Sequence, residues 1–174
     1  MEYQFTLQFK LDPRDANHKD LVERLGEAGC TDALAGLGVA GHLGLQFDRE
    51  AISSDEAIQS AIAQVKKALP GAVLIEVTPD LVGLTEVADM VGFSRQNMRK
   101  LMLTHSESFP APMHIGSAAL WHLALILDFL SVRQYPVPHP LVEVAQTAMR
   151  VNITKETTLV DQRGHDTGRH ALAS

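Results

Sequence analysis

Tyr3, Phe5, Leu7, Phe9 and Leu11 alternate with Gln4, Thr6, Gln8 and Lys10, a period of two that admits few structures. Successive side chains of a strand point to opposite faces, so this pattern predicts a strand with one buried face and one solvated face. Asp12-Pro13 ends it. Leu21, Val22, Leu25 and Ala28 then recur at helical spacing and predict a helix over roughly 18–28 that closes at Gly29, with those four residues inward. A second strand fits Ala33–Val39, a turn Ala40-Gly41-His42, and a third strand Leu43–Asp48. Gly36, Gly38 and Gly44 weaken both strands, because each removes a side chain from the sheet face.

The next helix carries clearer marks. Ser53 and Glu56 have capping-box spacing, Ile58, Ala61, Ile62, Val65 and Leu69 form an apolar stripe, and Pro70-Gly71 stops it. Ala72–Val77 reads as a fourth strand. The order β-α-β-β-α-β is that of a ferredoxin-like fold, a scaffold shared by many unrelated functions. Residues 1–80 are therefore expected to form an acidic ferredoxin-like α+β domain.

A chain of 174 residues, 45% hydrophobic and 21% charged, has room for one ordinary domain or two small ones. No run approaches the ~18 apolar residues that a membrane span needs, and Met1-Glu2-Tyr3-Gln4 does not resemble the start of a signal peptide. A single cysteine, Cys30, excludes an internal disulfide framework and a cysteine-rich zinc site. The expectation is a soluble cytoplasmic protein with no membrane association and no cofactor.

The net charge of −6 is unevenly spread. Residues 1–80 hold 7 Lys+Arg against 13 Asp+Glu, while residues 81–133 and 134–174 each hold 4 against 4. Any surface for nucleic acid must be sought in the neutral second half. In the first half, Asp12, Asp15, Asp20, Glu23, Glu27 and Asp32 fall in loops and on the outer side of a helix, so a solvated face explains them better than a catalytic cluster. Cys30 has no recognisable catalytic partner and is expected to be buried. No phosphate-binding loop, dinucleotide fingerprint or zinc-protease motif is present. The expectation is that the chain is not an enzyme and has no catalytic or metal-binding residues.

After Thr78-Pro79-Asp80, read as a short linker, the pattern changes. Leu84 to Leu101 reads as helix, tight turn, helix. Thr85 can cap the first helix, Gly92 permits the turn, and Ser94 can cap the second. Small Ala88 sits where two steeply crossing helices approach, and Val87, Val91, Phe93, Met98 and Leu101 would hold them together. If Met98, Leu101 and Met102 face inward, Arg95, Gln96, Arg99 and Lys100 face outward, flanked by Ser94 and Asn97. Arg pairs bidentately with guanine, Gln and Asn with adenine, and Lys neutralises phosphate. A solvated face on an ordinary helical hairpin is the competing reading, but no acid interrupts Arg95 to Lys100. Further on, Gly116-Ser117 can form the tip of a hairpin with Met113–Ile115 and Ala119–Trp121 as strands. An apolar helix over about 122–132 follows, with Leu123, Ile126, Leu127 and Leu130 inward and Trp121 as a core anchor.

Residues 81–131 resemble the winged helix-turn-helix of excisionase-like and AlpA-like proteins, which are related to the DNA-binding domain of the MerR regulators. The matching positions are Thr85, Ala88, Gly92, Phe93, Ser94, Phe109, Pro110, Pro112, Trp121 and Leu130, with Phe129 where that family often has Trp. The resemblance implies that the helix Arg95–Thr104 enters the major groove and that the wing touches phosphate or the minor groove. It places Arg95, Gln96, Arg99 and Lys100 on the helix contact, and His114 and Ser117 on the wing. The wing departs from the family pattern in having no Arg or Lys between Met113 and Ala119. One weakly basic module binds loosely, so dimerisation is expected for specific binding.

Residues 134–174 are expected to be a proline-broken segment (Pro136, Pro138, Pro140), a short helix over Leu141–Met149 and a disordered terminal dozen. The short helix could pack on a partner subunit or on another protein. His165 and His170 lie in a polar stretch that does not read as a zinc site. The favoured function is a sequence-specific double-stranded DNA-binding transcription regulator acting as a homodimer. The alternative is an antitoxin or phage-type interaction protein that neutralises a protein partner through residues 1–80 or 134–160 and autoregulates its operon. A third reading is an architectural protein that bends DNA during recombination.

Overall fold

β1 (Glu2–Lys10) buries Tyr3, Phe5, Leu7 and Phe9 on one side, as its alternation requires. Burial of each such side chain contributes on the order of 1.5–3 kcal/mol. The computed structural model describes residues 1–15 and 17–171, with residues 164–171 by their backbone alone. β1 lies inside a four-stranded antiparallel sheet with β2 (Ala33–Gly36), β3 (His42–Glu50) and β4 (Val73–Thr78), in the order β2-β3-β1-β4. The β1–β3 register runs unbroken from Glu2↔Glu50 to Lys10↔His42 and stacks the Phe5 and Phe47 rings 5.1 Å apart.

α1 (His18–Glu27) and α2 (Ser54–Ala68) pack their apolar sides on the buried face of this sheet. Leu21 and Leu25 are buried, but Val22, expected inward, is 54% exposed. One position past Leu21 lies about 100° around the helix, off a stripe that is only one i, i+4 pair wide. β2 ends at Gly36, short of the expected Val39; its last pair is Gly36 with Gly44, two residues with no side chain to hold the ladder further. Ser53 does cap α2, accepting from the Glu56 N–H, while the Glu56 carboxylate reaches back to the Ile52 N–H, one residue before the cap.

The second half of the chain adds α3 (Leu84–Val91), α4 (Arg95–Thr104), α5 (Leu123–Val132) and a small sheet. That sheet comprises β5 (Leu81–Val82), β6 (His114–Ile115) and β7 (Ala119–His122) in the order β5-β7-β6. Its core gathers Val87 and Ala88 of α3, Met98 of α4 and Leu123, Ile126, Leu127 and Leu130 of α5. Trp121 is buried at its edge and donates Nε1–H to the Pro110 carbonyl at 3.0 Å.

α6 (His139–Ala171) is one long helix where a short one over 141–149 was expected. Pro140 falls in its first turn, where a missing N–H costs nothing, so the prolines start the helix rather than break it. Residues 172–174 of the expected disordered tail lie outside the described residues. α6 packs on its own chain: Val144 and Ala148 enter the first core and Ala145 the second. Tyr3 donates its hydroxyl to Glu143 at 2.5 Å, and Ser54 meets Thr147 at 2.8 Å.

The linker reading of Thr78-Pro79-Asp80 is also corrected. Asp80 is only 2% exposed. Its carboxylate takes His122 Nδ1 at 2.6 Å and Asn152 Nδ2 at 2.8 Å, and its carbonyl accepts the Leu123 N–H at 2.7 Å. A buried carboxylate needs such partners, and here they come from the end of β7 and from α6. The fold is α+β. Among the described residues, no helix is long and apolar enough to cross a membrane.

Candidate nucleic-acid interface

α3 is capped at Gly83, not by the expected Thr85, which lies inside the helix. The Glu86 carboxylate accepts the Gly83 N–H at 2.7 Å, which supplies the cap that a glycine side chain cannot. α3 ends at Gly92, whose φ of 71° is left-handed, and the Phe93 N–H returns to the Ala88 carbonyl at 2.8 Å. That closure is a Schellman-type cap and requires a residue without Cβ strain at the turn. Ser94 caps α4 by accepting the Asn97 N–H at 3.1 Å. The turn is therefore fixed at both ends by short-range bonds encoded locally.

Packing then orients α4. Met98 is fully buried and Leu101 nearly so, with Met102 half-buried. The opposite face carries Arg95, Gln96, Asn97, Arg99 and Lys100, all exposed, with Ser94 at its N-terminus. Among the described residues, Arg95, Arg99 and Lys100 make no ion pair or hydrogen bond through their side chains. Arg14, Arg24, Arg49 and Arg150 are all bound to carboxylates, and Arg133 holds the Ser108 hydroxyl and covers the Phe129 ring at 3.8 Å. The helix thus offers two uncommitted guanidinium groups and an ammonium on one face, with the N–H end of its backbone beside them.

The hairpin of β6 and β7 pairs His114 with Leu120 and Ile115 with Ala119, and turns through Gly116, Ser117 and Ala118. Ser117 is exposed. His114 is exposed too, but its ring lies against Gly116, so that a Cβ there would sit 2.5 Å from Nε2. The tip is apolar: Ile115 is 80% exposed and Met113 is exposed beside it. β5 pairs Val82 with Trp121 and Leu81 with His122, tying the hairpin to the strand that leads into α3. No local pattern marks β5, because two residues are too few to show a period.

Comparison of the chain with known protein families, curated proteins and solved structures returns no match.

Three of the carboxylates singled out in the first half of the sequence are paired with arginines. Asp12 is bound by Arg14, Asp15 by Arg24 and Asp32 by Arg49. The guanidinium of Arg14 holds the Asp12 carboxyl well below the usual carboxylate range, and the hydrogen bonds from Arg49 lower that of Asp32. Cys30 is buried and burial pushes its thiol pKa up, the reverse of what a reactive thiolate needs. No group of three or more His, Cys, Asp or Glu residues capable of holding a metal occurs among the described residues, and the side chains of His165 and His170 lie outside them. Asp80 and His122 set the start of α5 and the last residue of the hairpin. Nothing local distinguishes Asp80 in the sequence, since its partners lie 42 and 72 residues away.

Proposed function

We propose that this chain is a sequence-specific double-stranded DNA-binding transcription regulator in which α4 reads the major groove. The observation that carries the reading is the uncommitted face of α4. Arg95, Gln96, Asn97, Arg99 and Lys100 are exposed together, without internal partners, on a helix that Met98 and Leu101 lock against α3. Two helices joined through Gly92, followed by a hairpin and a third helix, support a winged helix-turn-helix of the excisionase-like and AlpA-like type for residues 81–131. The sheet order β2-β3-β1-β4 with α1 and α2 on one face supports a ferredoxin-like unit for residues 1–80. Ser117 and His114 are the wing residues, and a homodimer doubles the contacts of a weakly basic module.

A second reading has its own support. The hairpin tip offers Ile115 and Met113 rather than cations, which suits a protein surface better than phosphate. On that reading the chain is an antitoxin or phage-type interaction protein, and DNA binding by α4 serves autoregulation.

The test is binding of the full chain to genomic fragments, including its own upstream region, against scrambled DNA at two salt concentrations. A bidentate Arg–guanine contact discriminates by ~1–3 kcal/mol, so Arg95→Ala or Arg99→Ala weakens cognate binding about 5- to 150-fold and scrambled DNA far less. Equal loss on both sequences, or no preference at any salt, refutes groove reading by α4. Partner capture retained in both variants with no DNA preference supports the second reading.

A further inference from the structure

A groove of about 880 Å³ lies between α2, the start of β4 and the middle of α6. Its volume falls within the range of small-molecule sites. Ile62, Val73, Val151 and Leu159 line it with aliphatic surface, and Val73 is 61% exposed and Leu159 46% exposed. Aliphatic surface left open to water on two facing elements is costly unless something covers it.

The charged residues on the groove are all of one sign. Lys10, Lys66, Lys155 and Arg150 line it, and no Asp or Glu does. Arg150 is committed to Asp55 and Lys155 to Glu156, both at 2.8 Å or less, but Lys10 and Lys66 make no side-chain bond among the described residues. This is the more telling because residues 1–80 carry an excess of six acids over bases. Two uncommitted ammonium groups, in the most acidic part of the chain, border this aliphatic recess.

Asn152 of α6, next to the lining residue Val151, bonds both the N–H and the carbonyl of Val77, each at 2.9 Å, which fixes α6 against the edge of β4. From Arg150 to Gln162, α6 runs along the groove for about 18 Å by the helical rise, the length of a medium-to-long acyl chain. An aliphatic groove lined by cations and by no carboxylate is complementary to a molecule with an apolar tail and one anionic head.

We propose that this groove binds an aliphatic carboxylate of the fatty-acid class, its chain laid between α2, β4 and α6 and its head held by Lys10 and Lys66. Because α6 also packs on the core beneath α3–α5, occupancy of the groove is positioned to be felt in the second half of the chain. The site stands on its own and does not depend on α4 binding DNA.

The experiment titrates the full chain, without DNA, with the fluorescent fatty acid dansylaminoundecanoate. The expected result is saturable binding of one probe per chain, displaced by palmitate and much more weakly by the uncharged hexadecanol. Lys10→Glu/Lys66→Glu, at exposed positions without partners, weakens binding about tenfold or more, and Leu159→Glu weakens it through the apolar wall. Circular dichroism of the variants keeps folding separate from binding. Absence of saturable binding by the folded wild-type chain overturns the proposal. So does equal displacement by palmitate and hexadecanol, or undiminished binding in folded Lys10→Glu/Lys66→Glu.

Discussion

Asn152→Ala removes three hydrogen bonds at the point where α6 meets the sheet. Oδ1 accepts the Val77 N–H at 2.9 Å, and Nδ2 donates to the Val77 carbonyl at 2.9 Å and to Asp80 Oδ2 at 2.8 Å. The side-chain amide thus pairs with the edge of β4 as another strand would. Val77 is fully buried and Asp80 nearly so, so their polar groups lose their partners without regaining bulk water. An orphaned buried donor or acceptor costs ~1–3 kcal/mol. Asn152 is itself half-buried, and the space left by its amide can admit a water that recovers part of the loss. The net expectation is about 2–4 kcal/mol, a large fraction of the ~5–15 kcal/mol that holds a typical domain folded. Equilibrium urea unfolding followed by circular dichroism measures it. Thr157→Ala on the same helix is the control, since Thr157 bonds only the Ile153 carbonyl and its loss should stay within about 0.5 kcal/mol. Asn152→Asp separates charge from size. It keeps the acceptor for Val77 N–H but sets a second carboxylate against Asp80, so it should be worse than alanine at neutral pH and recover as pH falls through the carboxylate range. An alanine variant within 0.5 kcal/mol of wild type refutes the strand-like role of Asn152.

The Tyr3 phenol pKa is raised by donating to the Glu143 carboxylate. A group whose folded pKa is raised stabilises fully below its unfolded value, about 10 for Tyr, and the contribution is lost as pH rises through the folded value. Tyr3→Phe should therefore be less stable than wild type at pH 7, with the gap closing in alkaline solution; a gap that is constant with pH refutes the linkage. Gly92→Ala meets open space but must hold φ at 71°, so thermal or urea unfolding should show a loss of about 1 kcal/mol from backbone strain alone. Ser94→Ala should cost about 1 kcal/mol by removing the cap on Asn97 N–H, measured in the same way. Lys100→Ala should weaken binding to all DNA sequences alike and make the salt slope shallower by ~1; a sequence-dependent loss would place Lys100 on a base instead.

Local chemistry made much of this chain legible. The alternation Tyr3 to Leu11, the cap at Ser53, the left-handed turn at Gly92 and the cap at Ser94 each depend on residues within a few positions of one another. So does the outward face of α4, because burial of Met98 and Leu101 leaves Arg95, Gln96, Arg99 and Lys100 no other side. Where two local signals compete, the sequence decides less. Thr85 and Gly83 both stand at the start of α3, and Glu86 settled the cap by reaching Gly83, which leaves Thr85 inside the helix. Val22 is apolar at helical spacing, yet the sheet beneath α1 accommodates only Leu21 and Leu25.

The sequence by itself thus determined β1, β3, β4 and α1–α5 in outline and the composition of the exposed face on α4, but not β5 or the length of α6. Only the tertiary structure decided what α6 does, that Asp80 is a buried junction, and that Lys10 and Lys66 border an aliphatic groove with Leu159. The physical reason is separation along the chain. Asn152 lies 75 residues from Val77, and the groove joins β1, α2, β4 and α6. Such contacts follow from how whole elements pack, a property of summed volumes and satisfied polar groups, and no window of neighbouring residues carries it.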